Sequence, residues 1–287
     1  MPLLATDFNP VAEFTDFVKH PYVDLPLGLD INKAVVYIWL SGALAILLTM
    51  LVVRRGLKVR PDRTQTAAEA VYDIAYNQIA KAGLPEEGLR IWFPYVATAF
   101  VFIWMMNLIG FIPLPLGEEK IDLFGFHIPK IQIYAATANL SVTLSLTLVT
   151  VFASHFEGIR HNGPIRYFKS WMPSGLPSVR PWRLGSLGAI VLIGLIAFIE
   201  VISQFVRIVS LSFRLFFNLL AGHLVISVFL AMGALFGGVA FYFIQPIGLA
   251  MGIALYTLEA TLIAALQAFI FASLSAIYIG GAIHPDH

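Results

Sequence analysis

The sequence predicts an all-α integral membrane protein: about five membrane helices, an amphipathic helix on the membrane surface, and two unusually long apolar segments at the C-terminal end. Three observations carry this. The 287 residues are 59% hydrophobic and only 12% charged, where a soluble domain carries about 25% charged residues. Apolar runs of about 20 residues, enough to cross a bilayer, recur along the chain. From Leu184 to Ile283 the only charged side chains are Glu200, Arg207, Arg214 and Glu259.

Residues 1–33 form an acidic segment, with Asp7, Glu13, Asp16, Asp24 and Asp30 against Lys19 and Lys33. It has no basic region followed by an apolar one, so no cleaved signal peptide is expected and the first span directs insertion. The expected spans are 34–53, 91–116 and 134–152. Arg54, Arg55, Lys58, Arg60 and Arg63 follow the first, and the stretch between the second and third is acidic (Glu118, Glu119, Asp122). Arg160, Arg166, Lys169, Arg180 and Arg183 follow the third. Basic loops stay on the cytoplasmic side, which places the N-terminus outside and, after five crossings, the C-terminus inside. Within 64–82, Ala67, Ala68, Val71, Ile74, Ala75 and Ile79 recur near helical spacing with Glu69, Asp73, Gln78 and Lys81 between them. That pattern predicts an amphipathic helix lying on the inner surface, stopped by Gly83 and Pro85. No internal repeat is visible, and 1–287 reads as a single membrane domain.

The long segments are 187–235 and 239–283. As one helix, the proline-free run from Leu187 to Ala231 is about 68 Å long against a hydrocarbon core of about 30 Å. Either it breaks near Ser210–Ser212 or it crosses strongly tilted; the spacing leaves both open.

Arg214 is the most informative residue. An Arg in lipid costs about 2.5–3.5 kcal/mol on insertion scales, so a buried one marks a functional path by default. At about 100° per residue, Glu200, Ser203, Arg207, Ser210 and Asn218 fall within about 40° of it. Such a stripe packs against another helix, faces a water-filled path, or meets a partner of opposite charge. Arg207 suits a side chain snorkelling to an interface. His223 lies about 180° from Arg214 and titrates near neutral pH. On the last segment Gln267 can reach the Arg214 stripe, with Ala260 and Ala264 close to its face. Glu259 lies about 80° from Gln267 on an α-helix, and a shared polar cavity with His223 is expected. The other histidines fall in loops, at span ends or in the tail and are expected to be solvated.

The run Ser210-Leu-Ser-Phe-Arg-Leu-Phe-Phe-Asn-Leu-Leu-Ala-Gly-His223, with Leu-Gln267-Ala-Phe-Ile-Phe271 downstream, resembles subunit a of the F-type ATP synthase. Asn107-Leu-Ile-Gly-Phe-Ile-Pro113, Thr137-Ala-Asn139-Leu-Ser141-Val-Thr143 and Glu200, fourteen residues before the Arg, support it. The resemblance covers essentially the whole chain. It implies a long, strongly tilted hairpin of the last two helices against the ring of c subunits, and an essential ring-facing arginine at Arg214. Asn218 and Gln267 would orient Arg214. His223 and Glu259 would belong to the outer half-channel, with Asn139 and Ser141 lining its access path. Glu200 and Ser210 would lie toward the exit, with Arg207 near the inner end. The resemblance further implies peripheral-stalk b subunits and membrane lipid as partners, H+ rather than Na+ as the ion, no cofactor or metal, and a bacterial inner (plasma) membrane, with the mitochondrial inner membrane as the alternative. The subunit itself would be non-catalytic.

Two departures from the family pattern stand out. Some members carry Asp where this chain has Asn139. Members with a His at position 223 often have a Glu seven residues before the Gln, whereas Glu259 stands eight before Gln267 and Ala260 holds the seventh. One residue rotates a side chain by about 100°, which leaves open whether Glu259 pairs with His223.

The competing reading is an ion-coupled secondary transporter with an intramembrane Glu/Arg site. Such folds show repeats and broken helices; the sequence has no repeat, and Pro246 is the only proline within the two long segments. A haem or quinone site would want facing His pairs, and only His223 lies deep in an apolar segment. There is no Cys, hence no thiolate chemistry, and no phosphate-binding Gly loop or nucleic-acid patch.

Overall fold

Among the described residues, five helices are long and apolar enough to cross a membrane: Ala34–Val52, Glu86–Gly110, Leu140–Asn162, Gly194–Phe229 and Phe241–Ile283. The computed structural model describes residues 32–54, 56, 58–112, 120–123, 126–129, 135–170, 185–236 and 238–284. In chain order the elements are α1 (Lys33–Arg54), α2 (Arg63–Asp73) running on through a π-turn (Ile74–Ala80) to Lys81–Gly83, α3 (Glu86–Gly110), the hairpin β1 (Lys120–Leu123) and β2 (Phe126–Pro129), a 3-10 turn (Ala136–Ala138), α4 (Leu140–Asn162), α5 (Pro164–Ser170), α6 (Gly185–Phe236), α7 (Gly238–Leu258), a second π-turn (Glu259–Ile263) and α8 (Ala264–Ile283). The antiparallel hairpin pairs Lys120 with Pro129 and Leu123 with Phe126. It is a small addition, in the acidic stretch, to an otherwise α-helical protein.

The long segment does not break at Ser210–Ser212: α6 is one 52-residue helix, about 78 Å long. No proline interrupts it, and Ser212 returns its hydroxyl to the Ile208 carbonyl, satisfying itself within the helix. Much of its apolar surface is exposed, Phe205 at 65% and Phe217 at 54%, as expected of a side chain facing lipid or another subunit.

The chain packs as two units. The first comprises Met1–Val59, Val101–Val142 and Leu215–Ala268. Its core gathers Phe111, Ala135, Leu219 and Ala264, with Ala138, Tyr256 and Ala260 against them. Gly110 ends α3 because a Cβ there would run into Ala135. Asn139 caps α4, its Oδ1 accepting from the Ser141 N–H at 2.9 Å.

The second unit comprises Arg60–Phe100, Thr143–Arg214 and Phe269–His287. Here α8 is lined with alanines so that backbones approach: Ala272 and Ala276 are fully buried, and a Cβ on Gly83 would strike the Ala276–Ile277 backbone. Tyr95 and Thr150 share a hydrogen bond at 2.8 Å, and Thr150 meets Ser275 at 3.3 Å. Asn162 closes the end of α8 by donating to the carbonyls of Ala282 and Ile283. The amphipathic helix runs over Arg63–Asp73 and on through the π-turn Ile74–Ala80. None of Arg63–Asp73 is buried, and only the π-turn buries residues, Ala75, Ile79 and Ala80. Ile74, expected on the apolar face, is exposed, as an apolar side chain turned toward lipid is. Tyr72 and Tyr76 stack and both set an edge against Phe93.

Candidate functional site

The polar residues of the first unit fall into pairs: His223 with Glu259, Asn218 with Gln267, and Asn107 with Thr137. His223 is buried, and its Nδ1–H donates to the Leu219 carbonyl one turn back at 2.9 Å. Since a carbonyl only accepts, the neutral ring holds its proton on Nδ1. Phe111 stacks on the imidazole with ring centres 5.1 Å apart, and the Tyr256 hydroxyl donates to the Phe111 carbonyl. Glu259 is 2% exposed, and its Oε1 lies 3.7 Å from His223 Nδ1. Both Glu259 Oε1 and His223 Nε2 are buried without a hydrogen bond among the described residues.

The expected offset between Glu259 and His223 is therefore corrected by the backbone. Glu259 opens the π-turn, in which the Ala264 N–H donates to the Glu259 carbonyl five residues back rather than four. A π-turn takes up one residue more than an α-turn. Eight residues from Glu259 to Gln267 then rotate as about seven do on an α-helix, roughly −20° instead of 80°. The carboxylate consequently returns to the Gln267 face and reaches His223. Gly222 leaves the room for it: a Cβ there would collide with the Glu259 carboxylate. Gln267 is buried, and its Oε1 accepts from Asn218 Nδ2 at 3.1 Å. Asn107, fully buried, donates to the Ala264 carbonyl at 3.1 Å and accepts from the Thr137 hydroxyl at 2.8 Å. Asn139 is half-buried with its side-chain oxygen engaged as a helix cap, and Ser141 is exposed.

In the second unit, Glu200 Oε1 accepts from Gln204 at 3.0 Å, and Gln204 Oε1 accepts from Arg207 at 3.2 Å. Gln204, which lies off the stripe in projection, is thus the link between Glu200 and Arg207. Arg207 does not simply snorkel: its guanidinium lies 4.6 Å from the Tyr278 ring centre, a cation–π contact. Ser210 and Arg214 are exposed, and among the described residues Arg214 makes no hydrogen bond or ion pair. His155, expected to be solvated, is half-buried and bonded to the Tyr167 hydroxyl at 2.7 Å. His161 lies 3.6 Å from Glu87.

The long helix α6 thus carries an unpaired arginine among the described residues, with Asn218 and His223 further along it, and the whole chain can be set against known proteins. The sequence profile described as ATP synthase A chain matches residues 35–280. The chain belongs to the ATP synthase subunit a family. Similar relatives, each named ATP synthase subunit a, come from Maricaulis maris (32% identical over 98% of this chain and 99% of the relative), Rhodopseudomonas palustris (36%, 87% of each) and Rubrobacter xylanophilus (33%, 88% of this chain and 84% of the relative). Sequence reasoning named Arg214, Asn218, His223 and Gln267, and the structure pairs Asn218 with Gln267 and sets His223 beside Glu259. It gave no role to Asn107, Gly222, Gln204, Phe111 or Tyr256. Of these, Asn107, Phe111 and Gly222 had a signal, standing inside runs that resemble the family.

Proposed function

We propose that this chain is the stator subunit of a rotary F-type ATP synthase, supplying two proton half-channels and the arginine that faces the c-ring. The observation that carries the reading is Arg214: an exposed cation, unpaired among the described residues, flanked by exposed Val206, Phe213 and Phe217. In an apolar surround a cation needs an opposite charge, and a carboxylate on each c subunit supplies one. At 4 Å and an effective dielectric constant near 20, the pair is worth about 4 kcal/mol. That is about three pH units of preference for the ionised carboxyl. A protonated c carboxyl turns through lipid, meets Arg214, ionises and releases its proton to one half-channel. Past Arg214 it is reprotonated from the other. The fixed cation also repels a proton that would cross directly.

In this reading Glu259 and His223 hand protons along the outer half-channel, with Asn139 and Ser141 on its approach. The neutral imidazole takes a proton on Nε2 and returns one from Nδ1, so the ring passes a proton from face to face. Asn218 and Gln267 hold the stretch of helix after Arg214. Glu200, Ser210 and Arg207 stand on the release side. A helix of about 78 Å fits a 30 Å core only when strongly tilted, so α6 runs obliquely along the ring, with α7–α8 as the other arm of the hairpin. The membrane is a bacterial plasma membrane, the N-terminus is outside and the C-terminus inside. ATP is made on partner subunits, and b subunits hold this one in place.

Because the sequence lacks cysteine, single cysteines report the contact cleanly. Cysteines at Val206, Phe213 and Phe217 are expected to cross-link to c subunits in the assembled complex, and one at the exposed Phe152 of α4 is not. Cross-links from Phe152 alone would contradict the assignment.

A further inference from the structure

The proton-path reading of Glu259 leaves a question that this chain poses by its own spacing: what keeps the carboxylate on His223 when one residue too many separates it from Gln267? The π-turn answers geometrically, but a π-turn has poorer hydrogen-bond geometry than the α-helix around it and persists only where its surroundings hold it. The sequence Glu-Ala-Thr-Leu-Ile is helix-compatible throughout, so nothing local demands the extra width. The alternative, a continuous α-helix, would turn Glu259 by about 100°, off the face that meets His223.

Asn107 stands at the point where this choice is made. Its Nδ2–H donates to the carbonyl of Ala264, the first residue of α8 after the π-turn. Its Oδ1 accepts from Thr137, so neither end of the amide is free to turn. All three residues are fully buried, where an unmet amide costs about 1–3 kcal/mol. Ala264 and Ala268 have no side chain beyond Cβ and are both fully buried. The exit of the π-turn is therefore fixed against α3 at a single rotation. Upstream, the carboxylate fits only over Gly222.

We propose that Asn107, oriented by Thr137, is a positioning residue for the Glu259–His223 pair: it fixes the exit of the π-turn and so absorbs the extra residue between Glu259 and Gln267. The inference rests on the proton-path reading above. It assigns Asn107 no proton of its own. Its effect reaches the path only through the rotation of Glu259, and it is needed only while the extra residue is present.

That last condition supplies the test, read as ATP-driven proton pumping by the intact complex in inverted membrane vesicles. Deleting Thr261, an exposed residue whose hydroxyl bonds only to the Thr257 carbonyl of its own helix, leaves Glu259 seven residues before Gln267. A plain α-helix then puts it on the same face. The deletion is expected to pump within about three-fold of the unaltered protein, and Asn107→Leu alone to lose at least about 100-fold, the low end for a displaced acid–base group. Combined with the deletion, Asn107→Leu should cost no more than about two-fold further, as for uncoupled sites. A residue that merely packs α3 would show no such rescue. If Asn107→Leu leaves no assembled complex, Thr137→Val, which loosens the same amide, is expected to follow the same pattern. Equal losses in both backgrounds, or a deletion that fails to assemble or pump, would overturn the inference. Glu259→Gln separates the two levels. If it pumps normally, the proton-path reading fails and this inference with it. If it is inactive while the losses stay equal, only the inference falls.

Discussion

Replacing Gly222 with alanine sets a methyl group in the space that the Glu259 carboxylate occupies. The three atoms nearest the new Cβ are Glu259 Oε1, Cδ and Oε2, with Oε2 at 2.5 Å and the others closer. Non-bonded heavy atoms settle at about 3.5 Å or more, so the carboxylate must retreat by at least about 1 Å. It is the free end of a flexible side chain, and the retreat costs a rotamer adjustment of about 0.5–1.5 kcal/mol, too little to unfold the subunit. The distance to His223 Nδ1, 3.7 Å here and already longer than the about 2.6–3.2 Å of a direct transfer, widens to about 4.5 Å or more, and the close approach that transfer needs is lost. Pumping in inverted vesicles is therefore expected to fall by about 10²-fold, while the complex assembles and its catalytic head still hydrolyses ATP. Glu259→Asp, shorter by about 1.5 Å, should recover part of the loss when combined with Gly222→Ala. Wild-type pumping by Gly222→Ala, or a double variant no better than the single, would refute the reasoning.

Further expectations follow from the same contacts. Gln267→Leu leaves Asn218 without its partner and should lower the temperature at which the detergent-solubilised complex releases this subunit, by an amount equivalent to about 1 kcal/mol. Adding Asn218→Leu should restore much of it, since removing both partners leaves nothing unpaired. Asn139→Ala removes a helix cap worth about 1 kcal/mol, whereas Asn139→Asp caps as well. A shared loss of pumping in both, at unchanged thermal stability for the aspartate, would mean that the amide serves the path rather than the cap. Gly83→Val drives a branched side chain into the Ala276–Ile277 backbone, which has no flexible end to yield, and is expected to deplete the subunit from purified complexes.

Composition alone made the membrane helices legible, because apolar runs with so few charges have no other stable environment. The continuity of α6 was not: a helix that breaks at Ser210–Ser212 and one that tilts share the same periodicity, and the choice depends on what surrounds them. The Asn218–Gln267 bond lay within reach of helical projection, since both residues sit on α-helix of regular pitch. Glu259 did not, because projection assumes 3.6 residues per turn and the π-turn breaks that assumption at the residue in question. Gln204 was set aside as lying about 80° off the stripe, yet a long amide reaches sideways to both Glu200 and Arg207. His155 sits near a helix end in sequence, but α5 brings Tyr167 back over it, a tertiary contact that no local pattern encodes.

The central claim is that Arg214 faces the rotor and gates the proton. ATP-driven acidification of inverted vesicles, compared between the unaltered protein and Arg214→Ala, tests it most directly when paired with passive proton leak after the catalytic head is stripped away. The account predicts that Arg214→Ala abolishes pumping in a fully assembled complex and raises the leak, because the cation both discharges the c carboxyl and separates the half-channels. Pumping near the wild-type rate would contradict it and bring the secondary-transporter reading to the front.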